Sequence, residues 1–148
     1  MRKLVILVSL MVSAQAFAAT GSITKSATPG NIYGTEPAAS SSRFSVISVN
    51  FPAGTLNLKK TITSVQCSWQ HYRSGTTDKV ELCYDRPYQT GQQYCFPITA
   101  SQTGVSTSFN SQPFDIGSSF SIRHTVSGTQ SPKMPSLTPD SITINYSY

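Results

Sequence analysis

The feature that most constrains this chain is a side-chain period of two that recurs between stretches rich in turn residues. Val65, Cys67 and Trp69 alternate with Gln66, Ser68 and Gln70. Phe120, Ile122, His124 and Val126 alternate with Ser121, Arg123 and Thr125, and Ile142, Ile144 and Tyr146 with Thr143, Asn145 and Ser147. Successive side chains of a β-strand point to opposite faces, so each run describes a strand with one buried face. Helix signals are nearly absent. Phe44–Phe51 reads as a further strand ended by Pro52-Ala53-Gly54, with weaker strands near Leu56–Leu58, Val105–Phe109 and Phe114–Ile116. The expected fold is all-β, an antiparallel β-sandwich or partly open barrel of about 7–8 strands, formed by a single domain over residues 43–148. Residues 19–42 lack an apolar period and carry Ala27-Thr28-Pro29-Gly30 and the run 38–42 of Ala-Ala-Ser-Ser-Ser. They are expected to form an irregular or extended N-terminal arm that could lie on the domain.

The N-terminus has the three-part form of a secretory leader. Arg2 and Lys3 precede an apolar run, Leu4–Val12, broken only by Ser9, and Ala16-Phe17-Ala18 supplies a small-residue cleavage pattern. The apolar run is half the ~20 residues that cross a bilayer as a helix. Residues 1–18 are therefore expected to be a cleaved signal peptide, with no transmembrane segment after cleavage. The compartment this implies is the periplasm, or alternatively the extracellular surface. Without Arg2 and Lys3, nine basic side chains remain against six acidic ones, a net charge of +3. The basic residues are scattered between Lys25 and Lys133, with Lys59-Lys60 as the one adjacent pair. A nucleic-acid partner calls for a basic stripe or cluster, so this distribution reads as a solvated, mildly basic surface.

An oxidising compartment turns three cysteines into one disulfide and an odd thiol, or into an intermolecular bond. Three pairings are open, and strand register favours one. If Cys83 faces Cys95 across a hairpin, Leu82 faces Phe96, Tyr84 faces Tyr94 and Val80 faces Ile98, all on the opposite face. A slip of one residue destroys that agreement. Opposed strand residues hold their Cβ atoms about 4.5–5.5 Å apart and a disulfide wants about 3.5–4.5 Å, so Cys83–Cys95 is the expected hairpin disulfide. Cys67, on the face of Val65 and Trp69, is expected to be a small buried apolar side chain.

Catalytic chemistry finds little footing. His71 and His124 are the only histidines, and no close-spaced ligand pairs of a zinc site accompany them. Neither Gly-x-Ser-x-Gly nor His-Glu-x-x-His occurs. Asp78, Glu81 and Asp85 lie close in sequence and read as a solvated hairpin edge rather than a two-carboxylate acid–base pair. No catalytic, cofactor-binding or metal-binding residue is assigned, no cofactor is implied, and the chain reads as a non-enzymatic binding protein. Trp69, Tyr72, Tyr84, Tyr88 and Tyr94 cluster in one third of the chain. Register places Trp69, Tyr84 and Tyr94 in the core, leaving Tyr72 and Tyr88 as the candidate exposed aromatic surface for a glycan or protein partner.

One resemblance rests on the order of several short motifs. Ser64-Val65, Trp69 and Tyr72 are followed by Val80-Glu81-Leu82-Cys83 and Tyr94-Cys95. Then come Gly104–Phe109, Pro113-Phe114, Phe120-Ser121-Ile122, Val126-Ser127-Gly128, Pro135-Ser136-Leu137 and a closing Ile142-Thr143-Ile144-Asn145-Tyr146. Over residues 60–148 this resembles the flagellar accessory protein FlhE family. The spacing departs from that family at Gln70-His71, which lengthens the Trp–Tyr segment, and at the long Tyr84–Tyr94 loop. The resemblance implies a periplasmic, non-enzymatic protein that serves flagellar export and assembly and limits proton leakage through the export apparatus. Flagellar export or basal-body components are the implied partners. Two other readings stay open: a fimbrial or surface adhesin-type subunit, from the alternating C-terminal Ser-Ile-Thr-Ile-Asn-Tyr-Ser-Tyr, and a carbohydrate- or peptidoglycan-binding module.

Overall fold

The alternating runs become strands in the computed structural model, which describes residues 18–73, 77–89, 93–98 and 103–148. The leader expected over residues 1–18 lies outside the described residues except for Ala18. In chain order the strands are β1 (Thr20–Ala27), β2 (Ala38–Ser45), β3 (Lys60–Ser68), β4 (Thr77–Asp85), β5 (Gln93–Pro97), β6 (Thr103–Ser106), β7 (Pro113–Phe114), β8 (Ser119–Ser127) and β9 (Asp140–Ser147). One sheet has the order β1-β9-β3-β6, with β7 beside β3, and the other has the order β2-β8-β4-β5. All pairings are antiparallel. The architecture is the expected sandwich, with nine strands among the described residues rather than seven or eight.

The core is what the period of two dictates. Ile23, Val65, Ile142, Ile144 and Tyr146 face inward from the first sheet, and Phe44, Leu82, Tyr84, Phe120 and Ile122 from the second. Burying each such side chain stabilises the fold by about 1.5–3 kcal/mol relative to leaving it in water. β3 keeps both Ile62 and Val65 inside although their spacing is odd, because its register with β9 shifts between Ile62 and Ser64. A bulge of this kind inserts one residue and resets the parity of the strand.

The hairpin disulfide is present. Cys83 and Cys95 are directly opposed in the β4–β5 ladder with their Cα atoms 4.0 Å apart. Leu82 faces Phe96 and Tyr84 faces Tyr94 as the register argument required. Cys67 is a buried free thiol.

Three sequence expectations are corrected. The supposed irregular arm over 19–42 contains β1 and most of β2. β1 pairs with β9 from Thr20↔Ser147 to Ala27↔Asp140, and β2 pairs with β8 from Ala38↔Val126 to Ser45↔Ser119. Both are outer strands of their sheets, where one inward side chain in several suffices: only Ile23 is buried in β1, and Ser42 and Phe44 in β2. Their backbone ladders, not an apolar period, hold them. The strand expected at Leu56–Leu58 is instead a series of turns, with Thr55 N–H donating to Pro52 O and Leu58 N–H to Thr55 O. Gly54, at φ 79°, supplies the left-handed residue that such a turn favours. Finally, the basic residues are not all solvated. Lys60 is buried over the Phe51 ring, 4.6 Å from its centroid, and donates to the carbonyls of Leu56 (3.2 Å) and Leu58 (2.8 Å). Lys133 is also buried and donates to the carbonyls of Gly34 and Glu36, closing the 30–36 segment.

β9 lies between β1 and β3, so its two backbone edges are satisfied within the chain. Gly21 faces Tyr146 across this ladder, and a Cβ at Gly21 would lie 2.3 Å from the tyrosine ring. The isolated protein is therefore expected to unfold cooperatively in urea without any added strand. Ile144→Asp should remove that transition, because an unpaired carboxylate at a fully buried site costs several kcal/mol of a total that is typically ~5–15 kcal/mol. Gly21→Ala should lower the midpoint, at a cost of about 1–3 kcal/mol from displacing the Tyr146 ring. A wild-type protein that unfolds non-cooperatively until a donor peptide is supplied would contradict this.

Candidate functional site

Polar chemistry concentrates at two places. The first grows from the alternation of β8, which turns His124 inward between Ile122 and Val126. On β4, His124 faces Val80, and Asp78 follows two residues away on the same face. Asp140 begins β9 in the opposite sheet. His124 Nδ1 lies 3.0 and 3.2 Å from the Asp78 carboxylate oxygens, and Nε2 lies 3.0 Å from Asp140 Oδ2. Both ring nitrogens can donate at once only in the imidazolium form. Burial alone would depress the pKa of His124, but the hydrogen bonds to Asp140 and Asp78, with their negative charges, overcome it and raise the value to about 9.

The surrounding residues complete this centre. Ser42 Oγ donates to Asp140 Oδ2 at 2.7 Å, and the Tyr72 backbone N–H donates to Asp78 Oδ2 at 3.1 Å. His71, largely exposed, has Nδ1 3.7 Å from the same Asp78 oxygen. The Tyr72 and Trp69 rings lie 5.4 and 6.0 Å from the His124 ring and close the site over. Tyr72 is therefore buried, contrary to expectation, and its hydroxyl donates to Gly30 O at 2.6 Å. Tyr72 packs with Ile32 and Val126, which takes its ring out of water. Asp78 is likewise no solvated edge residue: its side chain is 4% exposed. Glu81 and Asp85 do sit at partly exposed positions, paired with Arg123 and Ser119.

An Asp–His–Asp arrangement invites comparison with a catalytic triad, but its neighbours do not supply one. Ser42 bonds to a carboxylate rather than to the imidazole. Cys67 points its thiol at Gly104 O, 3.6 Å away, and burial pushes its pKa up, which keeps it protonated. His124 has no exposed surface through which a substrate could reach it. Chemically, the centre is an ionic clamp between the two sheets. Among the described residues no group of three or more His, Cys, Asp or Glu side chains is arranged to hold a metal ion.

The second place is open to solvent. Tyr88, 82% exposed, follows the C-terminal end of β4 and has φ 58°, an uncommon backbone conformation for a bulky residue. It borders a cleft of ≈ 690 Å³ shared with Arg43, Asp85, Arg86, Gln89 and Ser119. Tyr72 and Tyr88 thus do not form one surface: they flank opposite ends of β4, roughly 25 Å apart at the rise of a strand. Sequence reasoning identified Tyr88 but missed Arg43 and Arg86, which only the pairing of β2 with β8 and of β8 with β4 brings together.

No family model matches the sequence, and no curated protein matches it. Among solved structures, the crystal structure of FlhE is similar to this chain with a TM-score of 0.57 at 17% identity, covering 90% of this chain and all of that one. A chain of Desmodium yellow mottle tymovirus covers 99% of this chain, at 14% identity and a TM-score of 0.37. The FlhE similarity is one of fold and runs essentially the full length of both chains.

The clamp has a pH signature of definite sign. The folded-state pKa of His124, about 9, lies above its ordinary 6.5. Its contribution to stability should be complete below that ordinary value and lost as the pH rises through about 9, a decline on the order of 3 kcal/mol. Urea unfolding at a series of pH values should show the decline. His124→Gln should abolish it and cost about 3–5 kcal/mol at pH 6, because two buried carboxylates lose their counter-charge.

Proposed function

We propose that this protein is a non-enzymatic accessory factor of flagellum assembly that works in the periplasm after removal of its leader. In this reading it contacts components of the flagellar export apparatus or basal body and limits proton leakage through them. The observation that carries the proposal is the full-length fold similarity to FlhE. It is joined by the ordered motifs from Ser64-Val65 to the closing Ile142–Tyr146 and by a disulfide suited to an oxidising compartment. The sealing of the Asp78–His124–Asp140 centre from solvent supports the absence of catalysis.

Against a fimbrial subunit stands the position of β9. A strand-donating segment extends from its own domain and pairs with another subunit, whereas β9 is hydrogen-bonded on both sides within this chain. Deletion of the gene should impair motility or filament assembly and let the cytoplasm acidify faster in an acid medium. Bulk cell-wall composition should not change. Swimming assays, filament microscopy and a cytoplasmic pH reporter, with complementation by the intact gene, make the measurement. Normal swimming and normal filaments with a loss of adhesion would reject the proposal in favour of a surface subunit.

A further inference from the structure

The cleft beside Tyr88 has no part in the core, the disulfide or the clamp, yet its side chains are held in place. Arg86 donates through Nε and Nη2 to Gln112 Oε1, at 3.0 and 2.6 Å, and its guanidinium lies over the Tyr94 ring, 4.7 Å from the centroid. The fork is thereby fixed while its second terminal nitrogen is not used in those bonds. Arg43, whose side chain is 70% exposed, donates from Nη2 to Ser119 Oγ at 3.2 Å and stands 3.9 Å from Asp85. Arg43 also lines a second depression of ≈ 430 Å³ together with Lys25 and Ile47. Taken as one path, the two depressions share Arg43 and are lined by Lys25, Arg43 and Arg86 against the single carboxylate of Asp85, an excess of positive charge.

We propose that this path binds a carboxylate-bearing oligosaccharide. The exposed ring of Tyr88 supplies a flat apolar face on which a pyranose can stack. Arginine guanidinium groups recognise a carboxylate by parallel, charge-assisted hydrogen bonds. Gln89 and Ser119 offer amide and hydroxyl groups to sugar hydroxyls. The size of the cleft falls in the ~300–1,000 Å³ range of ligand sites. Tyr88 retains a left-handed backbone that bulky residues avoid, a form of strain that gathers at ligand sites. An acidic peptide is the weaker fit. It would be expected to add to an open strand edge, whereas Arg86, Tyr88 and Gln89 stand on the segment after β4, which forms no ladder to extend. The site is independent of the flagellar role, and neither stands or falls with the other.

Titration calorimetry and amide chemical-shift mapping on the purified protein test the assignment. The probes are a peptidoglycan tetrasaccharide of N-acetylglucosamine and N-acetylmuramic acid, a galacturonate tetrasaccharide, the neutral tetramer of N-acetylglucosamine and a glutamate-rich octapeptide. At least one carboxylated glycan should bind, shift the Tyr88 and Gln89 amides, and bind about tenfold or more tightly than the neutral tetramer. Preference between the two carboxylated glycans distinguishes a cell-wall source from a uronate polymer. Tyr88→Ala and Arg43→Gln should each weaken binding about tenfold. Tyr88→Phe, which keeps the aromatic face, and Tyr33→Ala, at an exposed tyrosine elsewhere, should bind like the wild type. The assignment is overturned if neither carboxylated glycan binds, if the neutral tetramer binds equally well, if the peptide binds more tightly than both glycans, or if Tyr88→Ala has no effect.

Discussion

A single imidazolium held between two carboxylates ties the two sheets together by side-chain bonds in the core. His124 comes from β8, Asp78 from the neighbouring β4, and Asp140 from β9 in the opposite sheet. Ser42 of β2 and the backbone of Tyr72 complete the bonding. Removing three ionisable groups from water costs several kcal/mol per ion, and it is tolerable only when the geometry is good and the remaining lone pairs are used. Here both conditions hold, so the relative position of the two sheets at this end is set by direction-dependent bonds. Apolar packing alone would permit sliding. The disulfide acts elsewhere, fastening β5 to β4 at the other side of the second sheet.

The division of labour among the basic residues follows from the same principle. Lys60 and Lys133 lie inside, each spent on backbone carbonyls of a nearby irregular segment that has no ladder of its own. A mobile surface chain would be of little use there, but a buried ammonium supplies three donors and can gather carbonyls that would otherwise lose their hydrogen bonds. With those two charges internal, three of the remaining basic residues, Lys25, Arg43 and Arg86, line the two depressions. A modest net charge on the whole chain thus conceals a local excess on one face.

Much of the fold was legible because its signals were local. The β3, β8 and β9 runs show their inward faces directly, and Cys83–Cys95 could be read from the agreement of Leu82 with Phe96 and Tyr84 with Tyr94. β1 and β2 were not legible, since an outer strand rich in Ser and Thr gives no apolar period and its stability comes from a partner far away in sequence. The bulge at Ile62–Ser64 concealed the join between two parities of β3. The site was harder to read than the fold. Asp78 looks like any surface carboxylate until His124 meets it, and Tyr72 looks exposed until it packs with Ile32 and Val126. Tyr88 was found because nothing in the hairpin register claimed it for the core.

The location of β9 has a consequence for how the molecule comes into being. Its ladder with β1 joins residues such as Thr24 and Thr143, separated by 119 positions. β1 and β3 are not neighbours, because β9 fills the space between them. Until β9 has been made, the first sheet is therefore split, with β1 on one side and β3, β6 and β7 on the other, whereas the second sheet needs no part of β9. Long-range pairing of the sort that joins β1 to β9 is intrinsically slow. The two sheets can thus form at different times, and the sandwich is complete only when β9 takes its place between β1 and β3.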